Sequence, residues 1–164
     1  MGREIRRVPP NWQHPTAERR TTFSGPAVDY QPLYNRPFAP EMREWFKEWE
    51  AWERGERPPR SEGCATFWEW YCGPPDPLYY RPDWSEQEAT WYQCYETVSE
   101  GTPVTPPFAT KEELIDYLVT YGDFWDQRRG HGGWGRSAAE QFVQAQWDED
   151  SRWCVYYGTV GTTP

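Results

Sequence analysis

The sequence has 164 residues and a net charge of −9, a size that fits one domain spanning 1–164, since domains commonly run about 100 to 200 residues. Two Ile, four Leu, eight Val and seven Phe are a thin apolar supply, but twelve Trp and eleven Tyr exclude the disordered class, which is poor in aromatics. The core is therefore expected to be built of rings, and the net −12 of residues 37–164 against +3 in residues 1–36 disfavours general nucleic-acid or anionic-membrane binding and favours basic partners.

REIRRV (3–8) alternates as a short strand, and Pro9-Pro10 ends it because neither can donate to a ladder. Residues 9–40, with seven prolines, read as an irregular Pro-rich wrap or arm anchored by Phe23, Tyr30, Leu33, Tyr34 and Phe38. From Pro40, EMREWFKEWEAWERG places Met42, Trp45, Phe46, Trp49 and Trp52 at helical spacing, the stripe of a helix that packs them in the core. Gly55 suits the position after its end, and Pro58-Pro59 forbids continuation. FWEWYCGPPDPLYYRPDW (67–84) is the densest aromatic segment, held rigid by its prolines.

WYQCYETV (91–98) is a second strand, rich in aromatic and β-branched residues, with Trp91, Gln93, Tyr95 and Thr97 on one face and Tyr92, Cys94, Glu96 and Val98 on the other. EGTPVTPPFATKEEL (100–114) then sets three prolines ahead of a helix start in which Thr110 and Glu113 form a capping box. Leu114, Tyr117, Leu118 and Tyr121 share a face of this helix, and Gly122 closes it. The proline run reads as a rigid support that aims the helix. Ser137 and Glu140 suggest a second capping box, with Ala139, Phe142, Val143 and Trp147 as the buried stripe. SRWCVYYGTV (151–160) reads as a final strand. Together these predict an α+β fold: a small antiparallel sheet packed with about three helices, an aromatic-rich core and long ordered loops.

Four cysteines at 64, 72, 94 and 154 lack paired C-x-x-C spacing, so neither a metal nor another cofactor is expected. No run has signal-peptide or membrane-span character, and the chain reads as cytosolic with reduced thiols. The strongest chemical candidate is RRGHGGWGRS (128–137). Arg128, Arg129, His131 and Arg136 gather around Gly133 and Ser137 at a helix start, where unpaired backbone N–H groups suit phosphate, and Trp134 could stack a base. An exposed turn whose arginines pair with surplus carboxylates is the other reading of the same residues. The loop matches neither a Walker A nor a dinucleotide fingerprint. His14 and His131 belong to no local nucleophile or metal motif, so no catalytic residue is assigned, and a small enzyme acting on a nucleotide stays as an alternative.

MGREIRRVPPNWQHP, FWEWYCGPPDPLYYRPDW, YETVSEGTPVTPPFATKEELIDYL and GDFWDQRRGHGGWGRSAAEQFV resemble a family of small hypothetical proteins encoded by tailed bacteriophages and related prophages. The resemblance spans nearly the whole chain, more weakly over 16–66, and brings no catalytic residues with it. It implies an accessory protein in the host cytoplasm, distinct from portal, capsid and tail proteins. Such a protein would inhibit a host defence system or host factor through its acidic, aromatic-rich surface, or sequester a small nucleotide signal at 128–137.

Overall fold

A computed structural model describes residues 2–17, 30–71, 73–98 and 101–145. In chain order the elements are β1 (Arg3–Val8), β2 (Tyr34–Pro37), α1 (Phe38–Glu53), α2 (Phe67–Trp70), β3 (Tyr80–Arg81), β4 (Trp91–Glu96), β5 (Thr102–Pro103), α3 (Lys111–Tyr121), α4 (Phe124–Arg129) and α5 (Arg136–Ala145). They fall into two compact units, one made of Met1–Leu33 with Trp84–Pro164 and the other of Tyr34–Asp83. The class is α+β, with a small antiparallel sheet and aromatic-rich packing. Among the described residues no helix is long and apolar enough to cross a membrane.

The first unit is built on a three-stranded antiparallel sheet in the order β1-β4-β5. β1 pairs with β4 from Arg3 opposite Glu96 to Val8 opposite Trp91, which matches the expected strand at 3–8. β4 stops at Glu96, two residues before the expected end, because the chain turns there and Gly101 N–H closes onto the Glu96 carbonyl at 3.1 Å. As the central strand it is buried on both faces. Cys94 joins Ile5, Val104, Leu114, Leu118 and Val143 in the core, while Gln93 and Tyr95 are buried on the other side. Full burial of the Cys94 thiol pushes its pKa far up, so it stays neutral and inert.

Helix α3 starts as the sequence predicts. Thr110 Oγ1 accepts from Glu113 N–H, and the Glu113 carboxylate returns to Thr110 N–H, satisfying donors that the first turn leaves open. Gly122 ends it at φ +71°, a left-handed conformation that favours glycine. Helix α5 departs from expectation. It begins at Arg136, with Gly135 O accepting from Ala138 and Ala139 N–H, so Ser137 lies inside the first turn and its hydroxyl accepts from Gln141 at 3.5 Å. Glycine is acceptable immediately before a helix, and its use there removes Ser137 from the capping role. Ala139 and Val143 are buried and Phe142 packs beside them; Trp147 and the expected strand at 151–160 lie outside the described residues, as does Phe23.

A capping box at Asp123, unforeseen in the sequence, starts α4. Fully buried, its carboxylate accepts from Trp125 N–H at 2.8 Å and Asp126 N–H at 3.0 Å, and Arg3 of β1 donates to its other oxygen. The charge of Arg3 is thereby matched inside the unit.

In the second unit, α1 begins at Phe38, since Pro40 is tolerated within a first turn. Trp45 and Trp52 are buried against Phe67 of α2, making a core of rings. Rings therefore form the centre of this unit, and in the first unit Tyr92, Phe108, Trp125, Trp134 and Phe142 collar an aliphatic centre. β2 and β3 form a parallel pair with Tyr34 opposite Tyr80, so part of the expected wrap is regular, and the 67–84 segment contains α2 as well as its ordered turns.

Candidate functional site

The loop singled out in the sequence is largely turned to structural use. Its main-chain N–H groups at His131 and Trp134 donate to the carbonyls of Asp126 (3.0 Å) and Leu118 (2.9 Å). Gly133 lies against the end of α3 so closely that a Cβ there would fall 1.8 Å from the Val119 carbonyl oxygen. Trp134 donates its indole N–H to Asp126 at 2.6 Å and sets its ring edgewise on Phe142. Arg136 pairs with Asp116 at 2.6 Å and with Glu140 at 3.8 Å, while Arg128 lies over the Trp125 ring. Arg128 and Arg129 occupy the last turn of α4, where cations complement the helix dipole. His131 is exposed, with Nδ1 3.9 Å from Asp126. Thus Gly133, Trp134, Arg136 and Ser137 are drawn into packing, pairing or the helix itself, and Arg128, Arg129 and His131 remain at the surface.

Two other features emerge from the fold. The first is a cleft of about 390 Å³ in the first unit. One wall is the proline run, Pro103 to Pro107, and rings close it at Trp12, Tyr30, Tyr117 and Phe124. Its floor is a polar chain that runs in one direction. Trp12 Nε1–H donates to Tyr95 Oη (3.2 Å), Tyr95 O–H to Gln93 Oε1 (2.9 Å), and Gln93 Nε2–H to the Thr105 carbonyl (2.8 Å). Thr105 Oγ1 in turn accepts from Cys94 N–H and donates to the Pro106 carbonyl, so the wall is tied to the central strand.

His14 completes this floor. A carbonyl can only accept, so His14 Nε2 carries the proton that reaches Gln31 O at 2.6 Å, and the unprotonated Nδ1 lies 3.3 Å from Tyr95 Oη, whose one proton is directed to Gln93. Burial, aided by the charge of Arg6 and opposed by the Gln31 carbonyl, lowers the His14 pKa below its ordinary value and keeps the ring neutral. Burial also pushes the Tyr95 hydroxyl up to about 12.

The second feature is a run of rings in the second unit. Trp49 contacts Phe46, Phe46 contacts Trp45, Trp45 contacts Phe67 and Trp68, and Phe67 stacks on Tyr71, with centroids 5.3–6.4 Å apart. Trp45 and Phe67 are buried, but Phe46 is 46%, Trp49 36% and Trp68 57% exposed. The helical stripe therefore divides, and Phe46 and Trp49, expected in the core, face outward because α2 covers only the side of α1 that bears Trp45 and Trp52. Helix α1 adds five carboxylates against two cations, and among the described residues Glu48, Glu50 and Glu53 have no ion-pair partner.

Comparison with known proteins finds no matching family model, no matching curated protein and no matching solved structure. The functional reading therefore depends on the sequence and on these three surfaces.

Proposed function

We propose that the chain is a binding protein that covers part of another protein, with the ring run of the second unit as the contact and the carboxylates of α1 selecting a basic partner. One observation carries this reading: Phe46, Trp49 and Trp68 lie exposed in a continuous ring network. Large connected apolar patches on proteins usually mark interaction sites, and Trp and Tyr are enriched among the residues that dominate interface energetics. Carboxylates without intramolecular partners add long-range attraction for a basic surface.

The phage resemblance supplies the setting. In it, the protein is an accessory factor in the host cytoplasm that inhibits a host defence system or another host factor by occupying its surface. Capture from host lysate should yield a defined basic protein whose retention falls as salt rises. The double variant Trp49→Ala/Trp68→Ala should lose that protein while keeping its fold, as read by circular dichroism. Retention unchanged in the double variant would defeat the assignment of the surface. Sequestration of a nucleotide at 128–137 would have to rest on Arg128, Arg129 and His131, because Trp134 and Arg136 already have internal partners.

A further inference from the structure

We propose that the cleft of the first unit is a second, independent binding site, for an uncharged planar heterocycle carrying hydrogen-bond donors and acceptors on its edge, the chemistry of a nucleobase in a free nucleoside. Its volume, about 390 Å³, lies in the range of about 300 to 1,000 Å³ usual for small-ligand sites and accommodates a base with its ribose.

The lining selects the class of ligand. No lysine, arginine, aspartate or glutamate faces the cleft among the described residues, so neither a phosphate nor an ammonium group has a counter-charge there. Flat apolar faces are supplied by Tyr117 and Phe124, the latter substantially exposed. Polar recognition falls to three glutamines, residues 13, 93 and 127. Gln127 donates both amide hydrogens, to Tyr117 Oη (3.0 Å) and Gly122 O (3.3 Å), which leaves Oε1 to accept from a ligand. The Gln13 amide has no partner among the described residues, and Gln93 keeps a second Nε2 hydrogen after binding Thr105.

Donors and acceptors side by side match the edge of a base, and the rings match its faces. A proline-rich peptide would offer chiefly carbonyl acceptors, leaving the Gln13 and Gln127 oxygens unmatched. A hexose, with a hydroxyl on nearly every carbon, needs more polar partners than the lining has to spare. The site is also ready-made: the directional chain from Trp12 to Thr105 fixes floor and wall before anything binds, which reduces the ordering cost of association.

Calorimetry on the full chain with adenosine, guanosine, cytidine and uridine tests this directly, with their 5′-monophosphates, glucose and hexaproline as comparison probes. At least one nucleoside should saturate at one per chain, its 5′-monophosphate should bind no tighter, and Phe124→Ala and Gln127→Ala should each weaken it tenfold or more. Saturation transfer in ligand-observed NMR should be strongest at the base protons, a readout that needs no variant. Absence of saturation by every nucleoside at millimolar concentration would overturn the proposal. So would preferential binding of glucose or hexaproline, a more than tenfold gain from the phosphate, or saturation transfer strongest at the ribose.

Discussion

Asp123 joins the sheet to the helices that frame the cleft, and its removal should be the most destructive single carboxylate substitution in the first unit. Asp123→Ala takes away the cap of α4, an effect of about 0.5 to 2 kcal/mol, and breaks the buried ion pair with Arg3, a change that costs about 3 to 5 kcal/mol. Arg3 keeps 16% side-chain exposure and water can partly recover its charge, so the low end of both ranges applies and the sum is about 3 to 4 kcal/mol. Asp123→Asn retains a good capping residue and should cost about 1 kcal/mol less than alanine. Arg3→Met combined with Asp123→Asn should be milder than the two singles added together, since neither charge is then stranded. Urea unfolding at neutral pH, followed by far-UV circular dichroism and tryptophan emission, measures all four. With a slope of roughly 2 kcal/mol per molar urea, the alanine variant should unfold about 1.5 to 2 M earlier. A loss under about 1 kcal/mol for Asp123→Ala, or strict additivity in the double variant, would refute the joint role of cap and ion pair.

His14 should make stability depend on pH. Its folded pKa lies below the unfolded one, so the unfolded chain binds the proton more readily, and stability present above the unfolded value is lost as pH falls from about 7 through 6; His14→Gln should flatten that slope in denaturant titrations at stepped pH. Gly133→Ala should lower the melting temperature, because the new methyl meets the Val119 main-chain oxygen, an overpacking cost of about 1 to 3 kcal/mol, whereas Arg129→Ala at the exposed helix end should change it little. Trp45→Phe should be tolerated better than Trp52→Ala. The Trp45 indole N–H is buried with no acceptor among the described residues, so phenylalanine gives up no hydrogen bond to them, while truncating Trp52 opens a cavity costing about 3 to 5 kcal/mol.

What could be read from the sequence was what short-range chemistry determines. The strand at 3–8 and the Thr110–Glu113 box each depend on residues a few positions apart, and both stand where the alternation and the capping pattern put them. Ser137 shows the limit of the same rule, since Gly135 also suits the capping place and only tertiary packing decides between them. The periodicity of α1 identified the helix but not which part of its stripe would be covered, because coverage comes from α2, too short to extend over Phe46 and Trp49. The cleft was hidden for a different reason. Its floor joins Trp12 and His14 to Tyr95, more than eighty residues away, and no local pattern marks that meeting. The proline run at 103–107, read as a support, is indeed tied to the central strand, and it is also the wall of that cleft. Charges within 128–137 stand out as a group, and the four-residue spacing of Arg136 and Glu140 marks one of their pairings, but Asp116 and Asp126, which engage Arg136, His131 and Trp134, carry no sign of that pairing in sequence order.

The most direct test of the binding role is site-specific photocrosslinking inside the host cell. A photoreactive side chain placed at Trp49 or at Trp68 should attach to one defined basic host protein, and the same group at the exposed Glu112 of α3 should not. Attachment to that protein from position 112 as efficiently as from 49 and 68, or attachment to no defined protein from either ring position, would contradict a protein-covering function for this surface.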